Sequence, residues 1–316
     1  MYENVRDAGP FHSSSEGSQP AADKNKDCAG EESIMKTGLV MEGGAMRGMF
    51  TCGVIDVFME NDIWLDAAVG VSAGAAFGCN YKSRQIGRPI RYNKAFCSDK
   101  RYAGIHSLIT TGNLFNVEFC YHTIPYELDK WDGAAFAANP MAFYCVATDV
   151  RTGKPVYRRL KEGGEEDIKW IRASASIPAF SKPVEIDGGL YLDGGTADSI
   201  PLKFMEHLKA EKIVVIETQP VDYVKQPQKY MRILKVSLRK YPAMIRALER
   251  RYRMYNREKA YVRSREEEGA VFVIRPEAPL TISSFKRTEE DLERVYQAGR
   301  KAAAAALPKL REYLNS

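Results

Sequence analysis

The stretch Gly70-Val71-Ser72-Ala73-Gly74 decides the fold, because it places a serine between an apolar run and a run that can turn helical. A G-x-S-x-G serine in that context lies on a sharp turn at the tip of a sheet, where a nucleophile is exposed. Gly70 and Gly74 suit this turn, because its backbone angles and the close approach of the following helix exclude most side chains. The pattern therefore predicts Ser72 as a nucleophile.

A glycine-rich turn lies upstream, at Glu42-Gly43-Gly44-Ala45-Met46-Arg47-Gly48, between a strand candidate and a helix candidate. Backbone N–H groups in such a turn point into one space, with the positive end of a helix dipole behind them, and bind an anion. In an acyl hydrolase the anion is the oxyanion of a tetrahedral intermediate. A nucleotide phosphate fits less well, because the P-loop lysine is missing and Ala45 replaces the second glycine of the dinucleotide fingerprint. A tight turn without any ligand is the other alternative.

Two Asp-Gly-Gly turns follow each other closely, at Asp187-Gly188-Gly189 and Asp193-Gly194-Gly195. We interpret the first as a hairpin loop, since Ile186 and Leu190 flank it as strand residues would. The second ends an apolar strand candidate, so Asp193 is the candidate base. Asp-Gly-Gly is also ordinary turn chemistry.

In this order the three motifs resemble the patatin-like phospholipase family, in particular a bacterial branch, over residues 37–218. The segments 173–178 and 198–201 resemble that family as well. The resemblance implies an α/β fold, a three-layer α/β/α sandwich with a largely parallel central sheet. It also implies a serine acyl hydrolase that cleaves carboxylic esters of lipids with a Ser-Asp dyad. By position, Ser72 would be the nucleophile and Asp193 its base.

The same resemblance implies the oxyanion hole: Gly43, Gly44 and Ala45 as donors, with Arg47 and Gly48 closing the loop. Ala45 stands where most members of the family have a third glycine. Three roles are open for Arg47: it steadies the loop, contacts an anionic head group or pairs with a surface acid. This mechanism needs no metal and no cofactor.

Histidine is the usual base for a serine, and the chain has four: His12, His106, His122 and His207. His207 alone follows Asp193 and would fit a Ser, Asp, His order, but it lies in a helix candidate that covers the sheet. We therefore expect the carboxylate to act directly on Ser72, with partial burial raising its pKa. A Ser-His-Asp esterase and a catalytically silent lipid- or anion-binding protein are the alternatives.

Composition predicts three parts of the chain. The polar residues 1–36 lack an apolar stretch, so we expect a disordered tail without a signal peptide. Residues 37–220 would form the catalytic domain. Residues 221–316 would form a basic helical extension packed on it, with one strand at 271–274 and a last helix that begins near Thr288.

The cysteine and hydropathy patterns favour a cytoplasmic protein. Six cysteines without a C-x-x-C pair argue against a zinc site and a disulfide framework. Cys52, Cys79 and Cys145 lie in apolar segments and are expected in the core. No run of about 18 apolar residues is present, so no membrane span is expected.

The segment 232–265 carries twelve Lys and Arg residues against two acids. Ile245, Leu248 and Tyr252 lie three or four apart, which gives a helix one apolar face. Such a helix contacts an anionic membrane surface or packs on the domain by its apolar stripe. We expect a lipid or other ester as the substrate and no nucleic acid as a partner, because no nucleic-acid-binding module accompanies the charge.

Strand candidates at 38–42, 66–71, 141–149 and 212–217 alternate with helical stretches, which predicts βαβ units and a largely parallel sheet. A hairpin is expected to join 141–150 to 155–159. Residues 81–140 show no clean periodicity, and we expect them to form helices and loops that wall one side of the active site.

Overall fold

A computed structural model describes residues 36–229, 231–284 and 286–316. The strands in these ranges are β1 (Thr37–Met41), β2 (Ala67–Val71), β3 (Ala142–Asp149), β4 (Pro155–Leu160), β5 (Val184–Ile186), β6 (Gly189–Asp193), β7 (Lys212–Ile216) and β8 (Val271–Ile274). The disordered tail predicted for residues 1–36 lies outside the described residues, apart from Lys36.

The helices are α1 (Gly48–Glu60), α2 (Ala73–Lys82), α3 (Arg88–Phe96), α4 (Ile105–Thr111), α5 (Gly133–Ala138), α6 (Glu165–Ser174), α7 (Leu202–His207), α8 (Met231–Ser237), α9 (Pro242–Glu267) and α10 (Glu289–Asn315). A π-helix spans Phe119–Leu128, and short 3-10 turns span Ala45–Arg47 and Gly194–Thr196. Among the described residues, none of these helices combines the length and the apolar character needed to cross a bilayer.

The strands form one sheet in the order β5-β6-β3-β2-β1-β7-β8, with β4 along the remaining edge of β3. Strands β8, β7, β1, β2 and β3 are parallel, whereas β4, β5 and β6 are antiparallel to their neighbours. The α/β class with a largely parallel sheet is therefore confirmed. The four strand candidates, the β3–β4 hairpin and the strand at 271–274 are confirmed as well.

Alternate strand residues enter two separate cores, one on each face of the sheet. Leu39 and Met41 of β1 face α1, α2 and α10, whereas Val40 faces α7 and α9. Because both faces are covered, the parallel strands read as nearly continuous apolar runs. The fold is thus the three-layer α/β/α sandwich that the resemblance implied.

The tight turn between β5 and β6 consists of Asp187 and Gly188, with φ of 48° and 69°. Two central residues with positive φ define the turn type that matches the twist of a two-residue hairpin. The interpretation of the first Asp-Gly-Gly as a hairpin loop is confirmed, and this turn returns the chain along β6 toward Asp193.

The edge of β3 is shared by two strands, and this brings Ser72 and Asp193 together. Strand β2 pairs with β3 as far as Val71 opposite Val146, and at the next position of β3 the last residue of β6, Asp193, lies opposite Ala147. Since β4 fills the opposite edge of β3 over this stretch, β6 continues the same edge that β2 leaves. Ser72, the first residue after β2, is thereby placed beside Asp193.

Residues 221–316 extend the central layers. Strand β8 pairs with β7, α9 lies on one face of the sheet, and α10 packs against α1 on the other. The boundary proposed near residue 220 stays a prediction. Helix α10 begins as expected: the side chain of Thr288 accepts from Asp291 N and the Asp291 carboxylate accepts from Thr288 N, both at 3.2 Å.

The basic segment 232–265 forms two helices, α8 and α9, because the chain turns before Pro242. The buried line of α9 runs through Met244, Leu248, Tyr255 and Val262. Of the three residues predicted to form the apolar face, Leu248 is buried, whereas Ile245 and Tyr252 are only half-buried. Much of α9 packs on the domain by an apolar stripe.

Helices α1 and α10 cross at Gly53 and Gly299, where their backbones touch. A Cβ atom added at Gly299 would lie 2.0 Å from the carbonyl oxygen of Phe50, and one at Gly53 would lie 2.1 Å from that of Tyr296. Any side chain at this crossing would force the two helices apart.

We expect Gly299→Ala to lower the free energy of unfolding by about 1–3 kcal/mol, because overpacking outweighs alanine's better helix propensity. Urea unfolding measures this, with Lys301→Ala as the exposed control on the same helix, expected within about 0.5 kcal/mol of wild type. An unchanged midpoint for Gly299→Ala would contradict the close crossing.

Candidate active site

The turn that carries Ser72 is a strained elbow between β2 and α2. Ser72 has φ 54° and ψ −117°, a conformation that non-glycine residues rarely adopt. A Cβ atom at Gly70 would lie 2.4 Å from the carbonyl oxygen of Gly74, and one at Gly74 would lie 2.4 Å from that of Met41. The two glycines of the motif are therefore required by backbone contact, as expected for a nucleophile elbow.

Ser72 and Asp193 are joined directly by a hydrogen bond. Ser72 Oγ donates to Asp193 Oδ2 at 2.6 Å, and both residues are buried, with 7% and 6% of their surface exposed. Gly195 N donates to Asp193 Oδ1 at 2.8 Å, which fixes the carboxylate. Burial raises the pKa of Asp193, and the charge of Arg251 partly opposes this rise. A buried carboxylate of raised pKa is a stronger base than an exposed one.

Ser174 fastens the elbow, a role that sequence reasoning missed. Its hydroxyl accepts from Ser72 N at 2.9 Å and donates to the carbonyl of Val146 at 2.6 Å. The side chain is completely buried at the end of α6. The signal that could have identified Ser174 is the resemblance of the segment 173–178 to the family.

The glycine-rich turn lies against the serine. A Cβ atom on Gly43 would lie 3.2 Å from Ser72 Cβ, and one on Gly48 would lie 2.7 Å from Ala73 Cβ. In the described part of the chain, no acceptor takes the backbone N–H of Gly43, Gly44 or Ala45. An oxyanion hole requires N–H groups that are not already bonded within the protein.

Ala45 has φ 48°, a left-handed conformation that costs an alanine roughly 1 kcal/mol or more. This angle explains why most members of the family have a glycine at this position. The alanine of this chain adopts the same left-handed conformation at a cost in free energy.

Helix α9 holds the glycine-rich turn in place through Glu42. Tyr255 Oη donates to Glu42 Oε1 at 2.6 Å, and Thr218 N donates to Glu42 Oε2 at 2.5 Å. Glu42 is completely buried between β1 and β7. No sequence motif predicts this contact between Glu42 and Tyr255, which are 213 residues apart.

Three cations surround this end of the site: Arg47, Lys225 and Arg251. Arg251 Nε donates to the carbonyl of Gly195 at 2.6 Å. Arg47 Nε is buried without a hydrogen-bond partner among the described residues. Lys225 Nζ lies 4.7 Å from the centre of the Tyr255 ring. Burial, together with the charges of Arg251 and Arg47, lowers the pKa of Lys225 to about 8.

Ser72 forms part of the lining of an apolar pocket. Its lining residues come largely from the segment 81–140, for example Tyr102, Phe115 and Ile124, and from α2 and α6. The expectation that residues 81–140 wall one side of the site is therefore confirmed. The π-helix contributes part of this wall, and such helices often occur at functional sites.

Among the described residues, no histidine and no cysteine makes a hydrogen bond with Ser72 or Asp193. His207 and His106 are exposed, His122 stacks on Tyr126, and His12 lies outside the described residues. Cys52, Cys79 and Cys145 are buried, as predicted for core residues. Among the described residues, no group of three or more His, Cys, Asp or Glu side chains could hold a metal ion.

We expect Ala45→Gly to raise the free energy of unfolding by about 0.5–1 kcal/mol, because relief of the left-handed strain exceeds the entropy that glycine adds to the unfolded chain. Urea unfolding measures the change. Ala304→Gly in the exposed middle of α10 is the control and should lose about 1 kcal/mol. Equal losses in both variants would show that Ala45 is not strained.

Comparison with known proteins identifies a family that this chain resembles in sequence. The family model described as patatin-like phospholipase matches residues 39–205, and a domain of unknown function (DUF6363) matches residues 241–315. The uncharacterized protein YjjU of Escherichia coli is 30% identical over 205 residues, which are 62% of this chain and 55% of YjjU.

Lysophospholipase nte1 of Aspergillus fumigatus is 28% identical over 196 residues, which are 58% of this chain and 12% of that protein. This chain thus spans about half the length of YjjU and a small part of nte1. The structure of VipD from Legionella pneumophila aligns with a TM-score of 0.45 and 15% identity, over 87% of this chain and 67% of VipD. Because the patatin-like phospholipase model matches more than half of the described chain, the protein belongs to the patatin-like phospholipase family.

Proposed function

We propose that the protein is a serine acyl hydrolase that cleaves carboxylic ester bonds of lipids with a Ser72–Asp193 dyad. The hydrogen bond of 2.6 Å from Ser72 Oγ to the buried carboxylate of Asp193 carries this proposal. Family membership supports lipid hydrolysis in general, and the apolar pocket beside Ser72 supports an acyl chain as the group that is bound.

In the proposed reaction, Ser72 Oγ attacks the ester carbonyl carbon while its proton passes to Asp193 Oδ2. The N–H groups of Gly43, Gly44 and Ala45 stabilise the negative oxygen of the tetrahedral intermediate. Collapse of the intermediate breaks the bond to the alcohol, which takes the proton from Asp193. Water then attacks the acyl-enzyme by the same route and releases the fatty acid.

Labelling by a fluorophosphonate tests the dyad. Ser72→Ala should abolish labelling, because the attacked atom is lost, and Asp193→Asn should slow it roughly a hundredfold or more, because the base is lost. His207→Ala is the matched control and should label like wild type, since His207 is exposed. Gel fluorescence and mass spectrometry of the adduct measure the outcome.

Two other outcomes would overturn the proposal. Loss of labelling in His207→Ala would favour a Ser-His-Asp triad. Absence of labelling in the folded wild-type protein would favour a catalytically silent lipid- or anion-binding protein on the same fold.

The labelling rate should also depend on pH through Asp193. Only the ionised carboxylate accepts the proton of Ser72, and burial raises the pKa of Asp193. The rate should therefore fall as pH drops through this raised pKa, at a higher pH than an ordinary aspartate would give.

We also propose that the segment 232–265 makes peripheral contact with an anionic membrane, from a cytoplasmic location. On α8, Ile233 and Val236 are 62% and 70% exposed among basic residues. On α4, Ile105 and Ile109 are 66% and 78% exposed.

The two helices flank one segment, 177–182. The carbonyl of Phe180 accepts a hydrogen bond from Leu114 N at 2.7 Å, just beyond α4. Ala179 packs against the apolar cluster that contains Leu234 of α8. Ile177 of the same segment lines the apolar pocket. A membrane contact through these helices would therefore bring lipid close to the pocket.

Arg232→Gln/Lys240→Gln should weaken binding to vesicles that contain anionic lipid roughly 30-fold, since each cation near such a surface contributes about 1 kcal/mol. Vesicle sedimentation measures this, and Lys161→Gln/Lys301→Gln is the control with the same charge change at exposed positions. Equal weakening by both pairs would show a general charge effect rather than contact through this segment.

A further inference from the structure

Helix α9 lies along the segment that follows Asp193. Arg251 Nε donates to the carbonyl of Gly195 at 2.6 Å, at the start of the segment 195–200. Two turns further along the helix, Glu258 accepts from two backbone N–H groups at the other end of that segment, at 3.1 and 3.2 Å. Residues seven apart on a helix share a face, so α9 holds both ends of the segment from one side.

Gly195 links Arg251 to the carboxylate of Asp193. Its carbonyl accepts from Arg251, and its N–H donates to Asp193 Oδ1 at 2.8 Å. A Cβ atom added at Gly195 would lie 3.1 Å from Asp193 Oδ1 and 3.3 Å from Arg251 Nη2. The guanidinium and the carboxylate therefore approach the same point, where the glycine has no side chain to separate them.

Arg251 influences Asp193 by its charge as well as through the turn. Both oxygens of the carboxylate already accept hydrogen bonds, from Ser72 Oγ and Gly195 N. Burial raises the pKa of Asp193, and the charge of Arg251 is the strongest of the influences that oppose this rise. An opposite charge within about 4–6 Å lowers the pKa of a carboxylate by about 1–3, and only the ionised form can take a proton from a serine.

Two further titratable groups face Asp193. The charge of Lys225 opposes the rise in the pKa of Asp193 more weakly than that of Arg251 does. Burial, together with the charges of Arg251 and Arg47, lowers the pKa of Lys225 itself to about 8, so its charge is lost above that pH. Burial raises the pKa of Tyr121, which is therefore neutral. A guanidinium stays charged over the whole working range of pH, so Arg251 is the constant cation beside Asp193 in the described part of the chain.

We propose that Arg251 is a positioning residue of the reaction: through Gly195 it orients the carboxylate of Asp193, and its charge keeps that carboxylate ionised. This inference rests on the proposed function, since it concerns the step in which Asp193 takes the proton of Ser72. Arg251 lies on α9, beyond the residues 39–205 that match the patatin-like phospholipase model. Helix α9 thereby completes the active site and does more than cover the sheet.

The pH dependence of fluorophosphonate labelling tests the inference. Rates are measured on the full chain with a small water-soluble probe, and the acid midpoint is the pH at which the rate falls to half on the acid side. Arg251→Gln and Arg251→Met should each raise the acid midpoint by about one pH unit, because the opposing charge is lost. Arg251→Lys should keep it within about 0.3 pH units of wild type, because the charge is retained. Circular dichroism and urea unfolding establish that each variant is folded.

Two control variants separate the charge from other effects. Ser199 Oγ donates to the same carbonyl of Gly195 at 2.8 Å but is neutral, so Ser199→Ala should leave the acid midpoint in place. Lys229→Gln removes an exposed charge from the segment 221–316 and should change neither the midpoint nor the rate, because solvent screens such a charge. A merely structural defect lowers the rate at every pH alike, so the midpoint reports the charge effect.

The outcomes that overturn the inference are distinct from failure of the proposed function. An unchanged midpoint in the folded Arg251→Gln and Arg251→Met variants would overturn it and leave the Ser72–Asp193 dyad in place. An equal rise in Lys229→Gln would show a general charge effect, and an equal rise in Arg251→Lys would exclude the charge as the cause; either result overturns the inference. Absence of labelling in wild type would overturn the proposed function, and the inference with it.

Discussion

The shared edge of β3 is the constraint on which the site depends. Strand β2 leaves this edge at Val71 and β6 takes it up at Asp193, so the residue after β2 meets the residue that ends β6. The sharp elbow then turns Ser72 toward the carboxylate instead of continuing the strand, and Gly70 and Gly74 allow it because no Cβ fits between them. The pair is thus a consequence of sheet topology, held by backbone pairing more than by side-chain packing.

The geometry around Ser72 and Asp193 lowers the free energy of unfolding. Ser72 and Ala45 both have positive φ, and such conformations persist only where the surroundings impose them. Burial raises the pKa of Asp193, so the folded protein holds this proton more tightly than the unfolded chain does. Below the ordinary aspartate pKa both states are protonated. As pH rises the unfolded chain ionises first, and the contribution of Asp193 to the free energy of unfolding falls until the folded-state pKa is passed.

Structural features that depend on neighbouring residues could be predicted from the sequence. Apolar runs, glycine turns and the Thr288 cap predict strands, the β5–β6 hairpin and the start of α10, because each depends on neighbouring residues. The pairing of β6 with β3, on the edge where β2 ends, could not be predicted from the sequence, because it joins residues that are distant along the chain. For the same reason Ser174 and Tyr255 were missed: their hydrogen bonds to Ser72 and Glu42 span 102 and 213 residues.

Helix α9 shows the kind of sequence signal that could have identified such residues. Its buried line passes from Leu248 through Tyr255 to Val262, yet Arg251 and Lys259 interrupt that line at helical spacing. A charge on the buried face of a helix needs a partner, because an isolated one is expensive to desolvate. Lys259 pairs with the carboxylate of Glu217, whereas in the described part of the chain Arg251 donates to the carbonyl of Gly195. Lys259 thus belongs to a structural ion pair, whereas Arg251 is tied to the backbone two residues beyond Asp193.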